Sequence, residues 1–78
     1  MKRILIIGAG KIAEEYLKVI KVNKNIVTSC IFSRTYTKAL SLSKKFKIKN
    51  TFKNKEDIVK NMNIFDAIIV AVNIENNL

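Results

Sequence analysis

A glycine-rich turn near the amino terminus constrains the fold more than any other feature of the sequence. Gly8-Ala9-Gly10-Lys11-Ile12-Ala13 matches the pattern G-x-G-x-x-G/A, between a predicted strand at residues 3–7 and a predicted helix at residues 11–22. Gly8 allows a sharp turn out of the strand, Gly10 leaves room for a pyrophosphate, and Ala13 allows close helix–strand packing. The helix N-terminus offers free N–H groups to phosphates. The motif predicts a dinucleotide site, and the alternative is a tight turn without a ligand.

Strand and helix patterns alternate along the rest of the chain. Further strands are predicted at residues 26–32, 49–52 and 66–72, with helices at residues 36–46 and after Asn54. Thr35 and Asn54 are candidate N-caps. The order β-α-β-α-β-α-β predicts an α/β fold of the Rossmann type, with a parallel sheet in the order 3-2-1-4 and right-handed crossovers. Helices should cover both faces of this sheet, and the apolar first and last strands agree, because central parallel strands are covered on both sides.

The helical spacing also predicts which side chains face the sheet. The predicted inward positions are Ile12, Ala13, Tyr16, Leu17 and Ile20 in the first helix and Ala39, Leu42, Ser43 and Phe46 in the second, and the short third helix contains Ile58, Val59 and Met62.

The end of the second predicted strand bears on the choice of cofactor. An acidic residue that binds the ribose hydroxyls is expected about 20 residues after the third position of the glycine motif. This chain has Ser33, Arg34 and Thr35 there, without a carboxylate. Hydroxyls and a guanidinium can accept a 2′-phosphate, which a carboxylate would repel. The sequence therefore favours NADP over NAD, while the alternative makes Arg34 an ordinary solvated loop residue.

Three segments together resemble the N-terminal domain of the Gfo/Idh/MocA oxidoreductases. They are IIGAGKIAEEYLKVI, IFSRT and DAIIVAV, and the resemblance covers nearly all 78 residues. It implies that Gly8, Ala9, Gly10, Lys11 and Ile12 form the pyrophosphate turn. It also implies that Ser33, Arg34 and Thr35 surround the adenosine ribose, and that Ala71, Val72 and Asn73 lie along the middle of the dinucleotide.

The same resemblance implies that residues 1–78 are the N-terminal part of a dinucleotide-binding domain. The family's Glu-Lys-Pro segment, which holds its catalytic lysine, and its substrate domain have no counterpart in this chain. Val72-Asn73 also departs from the Thr-Pro pair usual after the fourth strand. We therefore expect no catalytic residue within the chain, and cofactor binding for hydride transfer to or from a sugar-like alcohol or carbonyl substrate. Whether the chain is an enzyme by itself stays open, and a stand-alone non-catalytic nucleotide-binding module is the main alternative.

The net charge of +9 raises the possibility of a nucleic-acid surface. Lysine supplies thirteen of the fifteen basic residues and is spread along the chain, whereas nucleic-acid binders tend to cluster arginine and lysine on one face. A basic nucleic-acid-associated domain is therefore the least favoured reading. The apolar run at the start is too short for a signal peptide, which needs about 7–15 apolar residues, and no run approaches the ~20 needed to span a membrane. With the single cysteine, Cys30, these features predict a cytoplasmic protein.

The last predicted strand would lie at an open edge of a 3-2-1-4 sheet. It has neither a charge nor a proline, so it would expose unpaired backbone groups beside apolar side chains. We expect the chain to need a missing C-terminal part, or self-association, for stability.

Overall fold

The structure is a computed structural model that describes residues 2–71. Its elements are β1 (Lys2–Ile7), α1 (Lys11–Lys21), β2 (Ile26–Phe32), α2 (Tyr36–Phe46), β3 (Asn50–Phe52), α3 (Lys55–Lys60), a short 3₁₀ turn (Met62–Ile64) and β4 (Ala67–Val70). The element order agrees with the prediction from the sequence. The main difference is that Met62 lies in the 3₁₀ turn, because α3 ends at Lys60.

The four strands form one parallel sheet in the order β3-β2-β1-β4. The predicted Rossmann-type fold and strand order are confirmed. Ile7 pairs with Phe32 and with Val70, and Phe32 pairs with Phe52. Since these four residues end their strands, the carboxyl ends of all four strands meet in one row along a single edge of the sheet.

Helices α1 and α2 lie on the same face of the sheet. The connections β1-α1-β2 and β2-α2-β3 step in one direction across the sheet, and right-handed crossovers then place both helices on one side. A single apolar cluster joins the strands to these helices. Its buried members are Ile4, Ile6, Ala13, Leu17, Ile20, Ile31, Ala39, Leu42, Ile48 and Ala71.

The opposite face of the sheet is covered only in part. The connection from β3 to β4 reverses direction, which places α3 on this side. Leu5 and Cys30 are register partners on this face and are fully buried. Phe52 and Phe65 meet edge to face, with ring centroids 6.2 Å apart. Cover thus extends over the middle of the sheet but not over β4.

Both faces of β1 are covered as expected, whereas β4 is exposed on one face, as expected for an edge strand that lacks neighbouring elements among residues 2–71. Ile68 is 38% exposed and Val70 is 63% exposed, although Ile69 packs against the apolar cluster on the other face. β4 pairs with β1 on one side, and no strand among residues 2–71 pairs with its other side. The strand is apolar as expected, but the elements that the structure describes between residues 2 and 71 cover it only in part.

The predicted helix faces are correct in part. Ala13, Leu17 and Ile20 are buried, but Ile12 and Tyr16 are exposed because α1 has contact with the sheet along a narrower stripe than predicted. In α2, Ala39, Leu42 and Ser43 are buried and Phe46 is half-buried. In the third helical region Ile58 is half-buried, while Val59 and Met62 are exposed. Within residues 2–71, no helix is both long and apolar enough to cross a membrane.

Candidate functional site at the carboxyl edge of the sheet

Backbone hydrogen bonds hold the segments that follow β1, β2 and β4 close together. The Gly8 N–H donates to the Phe32 carbonyl at 2.7 Å, and the Ala71 N–H donates to the Ile7 carbonyl at 2.7 Å. The glycine turn, the segment from Ser33 to Thr35 and Ala71 are therefore neighbours along one edge. In open parallel sheets, ligands bind at this edge, in the crevice where the strand order reverses. That reversal occurs here between β1 and β4.

The glycine turn has the backbone geometry that its sequence requires. Gly8 is buried and has a φ of 123°, a value that side-chain-bearing residues rarely adopt. Gly10 is exposed, and a Cβ placed on it would have no atom within 4 Å. The space in front of Gly10 is thus open, as close approach of a pyrophosphate to the backbone requires.

The helix after this turn presents unpaired amide groups to the same space. Its first backbone bond runs from the Glu14 N–H to the Gly10 carbonyl at 3.1 Å. The N–H groups of Lys11, Ile12 and Ala13 therefore lack a carbonyl one turn back in the helix. Together with the partial positive charge of the helix terminus, they suit a phosphate. Ala13 is fully buried against the sheet, which is the close packing that the third motif position requires.

The segment after β2 forms a compact turn that leads into α2. The Ser33 hydroxyl accepts a hydrogen bond from the Thr35 N–H at 3.1 Å, which fixes the turn locally. Thr35 occupies the N-cap position as predicted, but its side chain makes no capping bond. Arg34 is exposed at the tip of the turn, and it has no carboxylate partner among residues 2–71. Its guanidinium is available to an anionic ligand.

The third predicted group of residues is described only in part. Ala71 is buried beside the end of β1, at the place where the crevice opens. Val72 and Asn73 lie outside the described residues. The structure thus brings together the glycine turn, Ser33, Arg34, Thr35 and Ala71, and their roles in binding stay predictions.

One contact at this edge was missed at the sequence level. Lys53, directly after β3, has its Nζ 5.1 Å from the centroid of the Tyr36 ring at the start of α2. The sequence predicts the run Lys53–Lys55 to be a solvated face rather than a phosphate site, and Tyr36 only to be the first residue of a helix. Lysines two residues apart, as at Lys53 and Lys55, are typical of a solvated surface. Only the pairing of β2 with β3 indicates that Lys53 emerges beside Ser33.

Other titratable groups lie away from this edge or have structural partners. Burial raises the pKa of the Cys30 thiol to about 11, which leaves it an unreactive core residue. Asp66 lies at the amino end of β4, where its carboxylate accepts a hydrogen bond from the Arg3 N–H at 2.8 Å. Glu14 in α1 forms an ion pair with Lys45 in α2. The hydrogen bond that the Glu14 carboxylate accepts from the Lys45 ammonium lowers the pKa of Glu14. Within residues 2–71, histidine, cysteine and carboxylate side chains form no cluster of a kind that holds metal ions.

Comparison with known proteins places this geometry in context. A model of the family described as Shikimate / quinate 5-dehydrogenase matches residues 1–78. A search of curated proteins finds no match.

Two solved structures are similar in fold. A probable dehydrogenase from Thermotoga maritima superposes with a TM-score of 0.79 and 19% identity, over 95% of this chain and 22% of that one. A myo-inositol 2-dehydrogenase from Lactobacillus plantarum superposes with a TM-score of 0.77 and 18% identity, over 92% of this chain and 21% of that one. The chain therefore spans about one fifth of the length of each. With the family match, these similarities confirm the sequence-based prediction of an oxidoreductase Rossmann domain.

Proposed function

The chain belongs to the Shikimate / quinate 5-dehydrogenase family, and from this premise we propose that it binds NADP(H) at the carboxyl edge of its sheet. Family membership supports a nicotinamide dinucleotide as the cofactor, and the turn from Ser33 to Thr35 supports the phosphorylated form. The observation that carries the proposal is the open space in front of Gly10, where the unpaired amides of α1 converge.

Each end of the dinucleotide has a place in this proposal. The pyrophosphate lies against the N–H groups of Lys11 and Ile12, and Gly8 and Ala9 shape the turn that positions them. The adenosine ribose lies beside Ser33 and Thr35, with Arg34 on its 2′-phosphate. A guanidinium suits this task because it offers several N–H donors in a planar fork that matches phosphate oxygens. Ala71, Val72 and Asn73, which follow β4 in the sequence, contact the middle of the dinucleotide in this proposal.

The reaction of the complete protein is proposed as hydride transfer at an alcohol or carbonyl carbon of a sugar-like substrate. The bound nicotinamide supplies the hydride acceptor or donor. Shikimate, quinate and myo-inositol, for which the family and one similar structure are named, are hydroxylated carbon rings, which fits this substrate class. The proposal places substrate binding and proton transfer outside these residues. The sequence has no histidine. Its carboxylates after β2 are Glu56, Asp57, Asp66 and Glu75.

Calorimetric titration of the chain with NADP and NAD tests the cofactor assignment. Arg34→Ala should weaken NADP binding about ten- to hundredfold and leave NAD binding nearly unchanged, because a charge-assisted hydrogen bond contributes roughly 1.5–3 kcal/mol. Arg3→Ala is the matched control, since Arg3 is the only other arginine and lies at the amino end of β1. Equal losses for both cofactors in Arg34→Ala, or tighter binding of NAD by the unaltered chain, would contradict the assignment to NADP.

A further inference from the structure

The amino edge of the sheet, opposite the edge with the glycine turn, is rich in lysine. Helices α1 and α2 end near this edge, and β1, β2 and β3 begin there. Exposed lysines lie in the last helical turns and in the segments that lead into the strands; they are Lys18, Lys21, Lys24, Lys44, Lys47 and Lys49. Lysine is spread along the sequence, but the fold gathers these six side chains at one edge.

Few carboxylates balance these cations. Glu15 lies in the first half of α1 and Glu56 in the first turn of α3, and both helices begin at the carboxyl edge of the sheet. Within residues 2–71, Asp66 is the one carboxylate that precedes a strand at the amino edge, and it accepts a hydrogen bond from the Arg3 amide. The amino edge therefore keeps a net positive charge.

Helix ends account for only part of this charge. A lysine in the last turn of a helix offsets the partial negative charge of the free carbonyls, which suffices for Lys18, Lys21 and Lys44. Lys24 lies in the turn before β2. Lys47 follows α2 with a φ of 57°, a left-handed conformation in which glycine is the usual residue. A cation thus occupies a position where glycine would be under less strain.

A cavity of about 180 Å³ opens among these lysines, between the ends of α1 and α2 and the start of β2. Apolar side chains line its walls and exposed lysines lie at its rim; these residues are Leu17, Ile20, Phe46, Ile48, Lys21 and Lys47. A cavity of about 150 Å³ with leucine, isoleucine and phenylalanine walls binds benzene, so this one has room for a phenyl ring. Phe46 adds a half-buried ring for edge-to-face contact.

We propose that this cavity binds an aromatic side chain of an acidic peptide segment in a partner protein. The ring enters the cavity, and carboxylates on either side of it in the segment meet the surrounding lysines. This inference goes beyond the proposed function, because it concerns the edge of the sheet opposite the dinucleotide site.

Two other occupants fit the cavity less well. A second copy of the chain brings the same net charge of +9 and would be repelled. A nucleobase carries several hydrogen-bonding groups around its edge, and leaving them unpaired in a cavity is costly. Among the described lining residues, Thr28, Lys21 and Lys47 are the only ones with polar side chains.

The test titrates the whole isotope-labelled chain with the acetylated peptides EEFEE, EEAEE and KKFKK and follows its amide shifts by NMR. EEFEE should shift the amides of Lys21 and Lys47 and leave those of Gly8 and Gly10 unchanged. EEAEE lacks the ring and should bind about tenfold more weakly, because no phenyl group is buried. KKFKK keeps the ring but reverses the charge and should not bind. Equal binding of EEFEE and EEAEE, or shifts at other residues only, would overturn the proposal.

Lys47→Gly separates the charge at the rim from folding. Glycine adopts a φ of 57° without strain, so the variant should keep the unfolding midpoint of the unaltered chain. It should bind EEFEE about two- to fivefold more weakly, as loss of one exposed ion pair predicts. Lys38→Gln removes the same charge from the first turn of α2, toward the carboxyl edge, and should leave EEFEE binding unchanged.

Two further outcomes would contradict the proposal. If Lys47→Gly binds EEFEE as tightly as Lys38→Gln does, the lysines at the rim do not bind the carboxylates of the segment. If a short oligothymidylate shifts the amides of Lys21 and Lys47 at lower concentration than EEFEE does, this edge is a nucleic-acid surface instead.

Discussion

β1 and β4 are adjacent parallel strands that pair along two runs of four apolar residues, Ile4–Ile7 and Ala67–Val70, yet these runs differ sharply in burial. Leu5 and Ile6 of β1 are fully buried, while their partners on β4 are Ile68, which is 38% exposed, and Ile69, which is half-buried. β1 has strands on both sides and helices over it, whereas β4, among residues 2–71, has a strand on one side only. An apolar strand can therefore be buried or exposed, and the number of elements that pack against it decides which.

The largest expected effect comes from truncating the same side chain on each strand. Ile6→Ala should lower the free energy of unfolding by about 2–5 kcal/mol, because it leaves a cavity in a closely packed core. Ile68→Ala removes the same atoms from a partly exposed site and should cost about 1 kcal/mol or less. Urea unfolding followed by circular dichroism measures both. Equal costs would mean that β4 is as well covered as β1.

The reactivity of the Cys30 thiol measures how well the middle of the sheet is covered on the side of α3. Since burial raises the pKa of its thiol from 9.0 to about 11, the thiolate fraction at pH 8 should be about one hundredth of that of an exposed thiol. Alkylation by iodoacetamide should therefore be slow in the folded chain and rapid in urea.

The same pKa shift gives the pH dependence of stability. Between pH 9 and pH 11 the unfolded chain releases the thiol proton while the folded chain keeps it, so stability should fall as the pH rises through this range. Cys30→Ser should remove that dependence.

In the alkylation experiment, rapid reaction of Cys30 at pH 8 without denaturant would show that the sheet face on the side of α3 is open above β2 as well as above β4.

A smaller effect, on self-association of the chain, is expected at the edge strand β4. Self-association itself stays a prediction. Val70 is 63% exposed on β4, next to backbone groups that lack a partner strand in the part of the chain that the structure describes. Val70→Lys should reduce association in sedimentation experiments at physiological salt, because charge guards an exposed edge. Val22→Lys, at an exposed position after α1, adds the same charge elsewhere and should not. If the unaltered chain is monomeric and melts cooperatively, the prediction that it needs a partner segment or self-association for stability is wrong.

Much of the fold could be predicted because its signals are local. The glycine turn, the β-branched run of β2 and the caps at Thr35 and Asn54 each depend on a few consecutive residues, and Asn54 does bind the Asp57 amide. Features that depend on distant neighbours could not be predicted. One such feature is a bulge in β2: Ile4 of β1 pairs with Thr28 and the next residue, Leu5, pairs with Cys30, so one residue of β2 is skipped.

The candidate site divides in the same way. Gly8, Gly10 and Arg34 could be found from spacing alone, because they lie in consecutive turns with a known geometry. The contact between Lys53 and Tyr36 joins β3 to α2, and it depends on how the third strand is aligned with the second. A pattern of lysines contains no information about that alignment, so the fold was needed to reveal it.

Cofactor binding by Gly10→Val tests the proposed dinucleotide site at the glycine turn most directly. The backbone at Gly10 has a φ of −90°, which valine tolerates, and a Cβ there would meet no atom within 4 Å. The variant should therefore keep the circular dichroism spectrum and unfolding midpoint of the unaltered chain. Its branched side chain fills the space proposed for the pyrophosphate, so calorimetry should detect no binding of NADP or NAD. Near-normal affinity in a folded Gly10→Val chain would contradict the placement of the dinucleotide at this turn.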